Sequence, residues 1–327
     1  MTEAPARRLR VLFFGTPAFA LPSLDALARA ATVVGVVTQP DRPAGRGRRL
    51  TPPPVALAAR RLGLPVLQPV RLRDPAVLDA LRALAPELGV AVAYGRIVPP
   101  AVLALPPLGC INLHPSLLPR YRGASPIQAA IADGATTTGV TVLYMSEEVD
   151  AGDIILQREV PIHPEETAGE LEQRLAQEGA ALLVEAVRLL AEGRAPRRPQ
   201  DHAQATYTGR LAKADGMIDW TRPAQAIVNH VRAMTPWPGA RTTWRGMPLR
   251  IWRARVTDAA PGAEPGRVVA VTPEGIVVAA GAGAVLVQEV QLPGGVRMAA
   301  DAFARGHPIR PGDRLAGLPQ PAGDARM

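Results

Sequence analysis

Residues 109–128 read GCINLHPSLLPRYRGASPIQ, and the fold and the chemistry are both legible from this stretch. An apolar run ends at Ile111 and gives way to Asn112 and His114, ahead of a loop holding Pro115, Pro119 and Pro126. Side chains of an extended segment alternate between faces, so Asn112 and His114 share one side. An amide that donates hydrogen bonds and an imidazole that moves protons would then face one pocket. A third polar group, Asp150, lies in the loop Val149-Asp150-Ala151-Gly152-Asp153, past the apolar run 139–145. Asn, His and Asp at strand ends are the usual parts for acyl-type chemistry on a neutral carbonyl. Taken singly, each is equally well a strand cap or a solvated turn residue. Together, beside Ser116-Leu117-Leu118-Pro119, they point to a site.

The surrounding pattern sets the architecture. Residues 9–15, 32–38, 88–93, 109–113 and 139–145 are short apolar runs, while 19–30, 55–62 and 75–84 carry apolar residues at helical spacing. Such alternation predicts an α/β fold, a Rossmann-like parallel sheet with helices on both faces. Ligands of these sheets bind beyond the carboxyl ends of the strands, where Asn112 and His114 fall. A longer helix over 167–192 follows, opening on Thr167 with Glu170 three residues later, a capping-box pattern. After Gly193 the chain reads RAPRRPQDH, a charged, proline-punctuated linker. Beyond it a helix over 223–234 precedes Val- and Ile-rich runs at 249–256, 267–271, 276–280 and 285–291. Gly and Pro turns separate them, which suits a small β-barrel. The expected organisation is a catalytic domain over 1–193, a linker over 194–208 and a C-terminal β-barrel over 209–327.

With 327 residues the chain can bury two ordinary cores. No run approaches the roughly eighteen apolar residues that span a bilayer, so no membrane partner is expected. Arg7, Arg8 and Arg10 lead into Val11–Gly15, too short for a signal-peptide core, which reads as a first strand. The single cysteine, Cys110, excludes an internal disulfide and fits a reducing cytosol, hence a cytoplasmic protein. Its place inside an apolar strand favours burial over a role as nucleophile. Up to Gly193 there are 19 arginines against 19 acids, but from Gly209 onward 15 basic residues face 9 acidic ones. A neutral front and a basic back suggest that the back half meets a polyanion. Codon bias would explain arginine in place of lysine, not the asymmetry.

Several chemistries lack their motifs. The turn after the first strand, Gly15-Thr16-Pro17-Ala18-Phe19, has no G-x-G-x-x-G, and the only lysine, Lys213, sits in no Walker context. His114, His163, His202, His230 and His307 have no second His or Cys at ligand spacing, so no metal is expected. Residues 41–49 hold four arginines against one acid, with two glycines and a proline, the composition of a mobile cationic loop.

The Asn-x-His pair followed by Ser-Leu-Leu-Pro resembles the signature of the folate-dependent formyltransferases. Within that superfamily the chain is most similar to the branch that formylates methionyl-tRNA. Further likenesses are Phe14-Gly15-Thr16-Pro17, the run Thr38 to Gly47, Val92-Ala93-Tyr94-Gly95, Ile218-Asp219-Trp220 and Pro236-Trp237-Pro238-Gly239. The resemblance implies transfer of a formyl group from 10-formyltetrahydrofolate, as co-substrate, to the amino group of methionine on initiator tRNA. It implies that the C-terminal β-barrel is of the oligonucleotide-binding (OB-like) kind. It makes Asn112, His114 and Asp150 the catalytic trio and Ser116, Leu117, Leu118 and Pro119 the lining of the folate site. It likens the arginine-rich segment to a tRNA-inserting loop, with Arg46 entering the acceptor end and Arg42, Arg48 and Arg49 meeting phosphates. A monomer is expected. Enzymes formylating glycinamide ribonucleotide or an amino sugar nucleotide are the rival readings, as is a tRNA-binding protein without turnover. The family often has Gly where this chain has Glu148, ahead of Val149 and Asp150.

Overall fold

The computed structural model describes residues 8–44, 49–258 and 263–316. The chain forms two compact units. The first holds Met1–Pro126, Thr137–Pro161 and Glu172–Thr208; the second holds Ile127–Thr136, Ile162–Leu171 and Gly209–Met327.

In chain order the elements begin β1 (Arg10–Gly15), α1 (Leu21–Ala30), β2 (Thr32–Val37), β3 (Arg42–Ala44), β4 (Arg49–Thr51), α2 (Pro54–Arg61) and β5 (Val66–Leu67). Then come α3 (Pro75–Ala83), β6 (Leu88–Val92), α4 (Pro100–Leu103), β7 (Cys110–His114), β8 (Arg122–Gly123) and α5 (Pro126–Ala132). They are followed by β9 (Thr137–Tyr144), β10 (Ile154–Pro161), α6 (Ala168–Ala191) and β11 (Tyr207–Thr208).

The first unit is built on a seven-stranded sheet in the order β10-β9-β7-β6-β1-β2-β5. From β7 to β5 neighbours run parallel, while β9 and β10 are antiparallel additions. Strands covered on both faces need unbroken apolar runs, and all five residues of β6 are buried. The expected parallel α/β sheet is therefore present. β10 was not foreseen: its IILQREVP lies at the sheet edge, half exposed, where period and hydrophobicity both weaken. Helix starts follow their caps. Asp74 accepts from Ala76 N (3.2 Å) at α3, and Thr167 N and Oγ1 each donate to the Glu170 carboxylate at 2.8 Å ahead of α6. Those bonds hold the Glu170 carboxyl below its ordinary range.

The chain leaves β1 toward β2 and β5, then returns to β6 on the other side of β1. Such a reversal of winding opens a crevice beyond the strands' carboxyl ends. Thr16 Oγ1 (2.9 Å) and Gln39 Nε2 (2.8 Å) both donate to the Tyr94 carbonyl, tying together the loops after β1, β2 and β6.

The second unit adds α7 (Ala224–Ala233), β12 (Ala240–Trp244), β13 (Met247–Thr257), β14 (Val268–Thr272), β15 (Gly275–Ala279), β16 (Ala284–Gln291), β17 (Met298–Ala299), α8 (Ala300–Gly306) and β18 (Leu315–Ala316). Its antiparallel sheet runs β14-β15-β16-β13-β12-β18, with β17 on β16. The sheet curls so that its edges meet at one end, where Val268 N donates to Asp313 O (2.8 Å) and Leu315 N to Gly266 O (2.7 Å). The expected barrel is thus a curled half-barrel. Ile227, Val231, Ile251, Val278, Val287 and Phe303 are buried in this unit.

One buried group here predicts a pH effect. Burial pushes the His230 imidazole below its ordinary value, and its Nε2 has no hydrogen-bond partner among the described residues. The unfolded chain therefore binds a proton at a pH where the folded chain does not, and stability is lost as pH falls below the ordinary histidine value. Thermal unfolding followed from about pH 7.5 to 5.5 should show this decline, and His230→Gln should flatten it.

Candidate active site

Asn112 and His114 sit at the carboxyl end of β7, paired with Leu143 and Thr141 of β9. Asp150 comes from the loop between β9 and β10, with a left-handed backbone, φ 54°. That conformation is tolerated better by Asp than by most residues. It turns the carboxylate back onto β7. Oδ1 accepts from Asn112 Nδ2 (3.4 Å), while Oδ2 accepts from Gly123 N (2.9 Å) and lies 3.5 Å from His114 Nδ1. The trio expected from the sequence is therefore gathered around one carboxylate. The side chains of His114 and Asp150 are only 5% and 12% exposed, so their electrostatics are weakly screened.

The other ring nitrogen fixes the histidine's role. His114 Nε2 lies 2.9 Å from the Tyr121 carbonyl, which can only accept, so Nε2 carries a hydrogen. A proton arriving at Nδ1 would leave both ring N–H groups directed at oxygen, one on Tyr121 and one on Asp150.

The segment after the proline turn supports this geometry. Tyr121 (φ 60°) and Gly123 (φ 105°) are left-handed, and a Cβ on Gly123 would lie 2.2 Å from the Thr208 carbonyl oxygen. Glycine is required there because β8 pairs closely with β11. Tyr121 N donates to Thr206 Oγ1 (2.8 Å) and Arg122 N to Thr206 O (2.8 Å). Residues 194–208, read from the sequence as a linker, group with the first unit and carry one wall of the site.

Two residues of this wall were missed. Arg122 is fully buried, and its guanidinium donates to Gln200 Oε1 from Nη2 (2.8 Å) and Nε (3.2 Å). Gln200 Nε2 donates in turn to the carbonyls of Asp150 (2.9 Å) and Gly152 (2.7 Å). The available signals were an arginine ahead of an obligatory glycine, and a glutamine after Pro199 in a stretch whose composition suggested only a linker. Glu148 stands two residues ahead of Asp150, in the same loop. It is largely exposed and reaches Arg122 Nη1 at 3.3 Å.

Ser116–Pro119 forms a tight turn with a cis Leu118–Pro119 peptide. Ser116 is buried, its hydroxyl donating to Arg120 O (2.7 Å) while its carbonyl accepts from Thr141 Oγ1 (2.6 Å). Gln157 Nε2 donates to Leu118 O (2.8 Å). Leu118 is buried with Leu143 and Ile154, whereas Leu117, packed over Gly139, and Pro119 stay half-buried. Cys110 is buried and its thiol is pushed up to about 12, which leaves it inert as a nucleophile.

Of the four loop arginines, Arg42 and Arg49 are exposed on the β3–β4 hairpin, Arg42 donating to Gln39 Oε1 (2.5 Å). Arg46 and Arg48 lie outside the described residues. Among the described residues no cluster of His, Cys, Asp or Glu is arranged to hold a metal, and no helix is long and apolar enough to cross a membrane. The second unit carries its own groove of about 550 Å³, lined by Arg232, Trp252, Arg253, Arg255, Asn229 and Gln288 among others. Arg250 stacks on Trp252, 3.8 Å from its ring centroid. Asn112, His114 and Asp150 are not part of this groove.

Residues 7–187 match the formyl transferase family and residues 210–308 match the formyl transferase C-terminal domain. A methionyl-tRNA formyltransferase from Moorella thermoacetica is 52% identical, with 94% of this chain and 99% of the relative covered. One from Symbiobacterium thermophilum is also 52% identical, covering 94% and 95%. Among solved structures, an N-formyltransferase from Helicobacter canadensis, in complex with folinic acid and dTDP-3-aminofucose, superposes with TM-score 0.66. It is 17% identical, with 86% of this chain and 99% of that one covered, a likeness of fold. The parallel sheet, the curled second unit and near-full-length identity of about half to these relatives together establish that the chain belongs to the methionyl-tRNA formyltransferase family.

Proposed function

We propose that this protein transfers the formyl group of 10-formyltetrahydrofolate to the α-amino group of methionine esterified to initiator tRNA. The product is N-formylmethionyl-tRNA for translation initiation. The observation that carries the reading is the convergence of Asn112, His114 and Asp150 on one carboxylate at the carboxyl end of β7. The neutral amine attacks the formyl carbon, a C–N bond forms, and the formyl oxygen becomes negative. Asn112 Nδ2 has two hydrogens; one meets Asp150, and the second donates to that oxygen. The amine's proton passes to the His114–Asp150 pair and then to N10 of the folate as the C–N10 bond breaks. No covalent enzyme intermediate is required. The backbone of Ser116–Pro119, with Leu117 and Pro119, lines the folate site, and Leu118 anchors the turn from behind.

The fold alone does not choose the acceptor, because a sugar-nucleotide formyltransferase shares it. The basic stretch from Gly209 onward favours tRNA over glycinamide ribonucleotide or an amino sugar nucleotide. The groove of the second unit carries Arg253 and Arg255, which are exposed, beside Trp252, whose ring already bears the Arg250 guanidinium. We assign Arg42, Arg48 and Arg49 to phosphates and Arg46 to the acceptor end, and place the enzyme in the cytoplasm as a monomer.

Each neutralised phosphate releases counterions, so tRNA affinity should fall steeply with salt. Arg253→Ala with Arg255→Ala should weaken tRNA binding and flatten the salt dependence by about one to two in log–log slope. Folate affinity should not change. Filter binding over a salt series checks this; an unchanged slope would remove the groove from the tRNA path.

A further inference from the structure

We propose that Gln200, seated by the buried Arg122, is a positioning residue that holds the Asp150 carboxylate in its catalytic place; this rests on the catalytic role assigned above to Asp150. Residue 150 keeps a left-handed backbone that most side chains avoid, so something must hold the loop there. Two bonds do so directly, from Gln200 Nε2 to the carbonyls of Asp150 and Gly152. With the Gly123 N–H on Oδ2, they fix the carboxylate from the backbone side and from the side-chain end.

Gln200 is itself fixed. Its Oε1 accepts two bonds from a guanidinium with no solvent exposure, which orients the amide so that its NH2 points at the loop. An amide has one donor end and one acceptor end, so the arginine settles which way it faces. The remaining guanidinium contacts, Glu148 (3.3 Å), Tyr207 Oη (3.4 Å) and His202 Nδ1 (3.3 Å), hold Arg122 in turn. Just upstream, Arg198 pairs with Ile154 through reciprocal backbone bonds of 2.8 and 3.1 Å, docking the strap that bears Gln200 on the start of β10. The connector is therefore part of the active site.

Gln200→Glu separates this role from a merely structural one. The glutamate keeps an acceptor for Arg122 but has no N–H for the two carbonyls. Melting and folate affinity should stay near wild type, KM for both substrates should move less than about threefold, and kcat should fall about 10- to 100-fold. Gln200→Met, which fills similar volume without a donor, should show the same kcat loss on its folded fraction if Gln200→Glu melts early. In single turnover with enzyme in excess, Gln200→Glu placed on Asp150→Ala should cost nothing further, because Gln200 acts through Asp150. Wild-type kcat in both Gln200 variants, or an undiminished loss on the Asp150→Ala background, would overturn the proposal. Full turnover by Asp150→Ala alone would instead sink the catalytic assignment of Asp150 and the proposal with it.

Discussion

Asp150→Asn should lower turnover on the order of 10³- to 10⁴-fold while leaving the fold intact. The asparagine oxygen can still accept from Gly123 N, so the loop remains seated. That same oxygen position lies 3.5 Å from His114 Nδ1, so the amide NH2 would take the Oδ1 place and meet Asn112 Nδ2, donor against donor. Nε2 already carries the hydrogen donated to Tyr121 O, and a neutral amide supplies no negative charge to stabilise the imidazolium formed when Nδ1 takes the substrate's proton. In His–Asp arrangements of other enzymes, the equivalent exchange costs about 10⁴ in kcat with geometry preserved. Steady-state formylation over a pH series checks this. A variant within about tenfold of wild type would show that the proton does not pass through this pair.

The second large effect is at Asn112. Removing one preorganised donor to a developing oxyanion costs about 2.7–4 kcal/mol, or roughly 100- to 1000-fold in kcat. Asn112→Ala should show a loss of that size with folate affinity nearly unchanged, since the donated bond strengthens only as the formyl oxygen becomes negative. Asp150 would lose one neighbour but keep Gly123 and His114. Single-turnover rates and folate titration on the same preparation separate the two quantities. Near-normal turnover would remove Asn112 from the chemistry.

The parts of the site that could be read in the sequence are those carried by periodicity. Asn112 and His114 interrupt an apolar run with period two, so their shared face follows from strand geometry alone. The capping box at Thr167 and the alternation of runs around it were legible for the same reason. Asp150 was legible as a residue, but not the left-handed turn that directs it to β7. Arg122 and Gln200 were not legible because neither follows a period. A buried arginine looks like any loop arginine until its partners, 78 positions away, are brought to it. β10 and the β8–β11 pair escaped for a related reason: an edge strand and a two-residue strand bury too little to mark the sequence. Leu117 and Leu118, alike in sequence, separate only in the structure, where one is buried with Leu143 and Ile154 and the other stays half-buried.

The most direct test is the release of tetrahydrofolate from 10-formyltetrahydrofolate by the full-length protein with each acceptor in turn. Methionyl initiator tRNA should support turnover with one N-formylmethionine formed per tetrahydrofolate, while uncharged tRNA, glycinamide ribonucleotide and an amino sugar nucleotide should support essentially none. Turnover with either small acceptor equal to that with charged tRNA, or no formyl group on the methionine, would contradict the account.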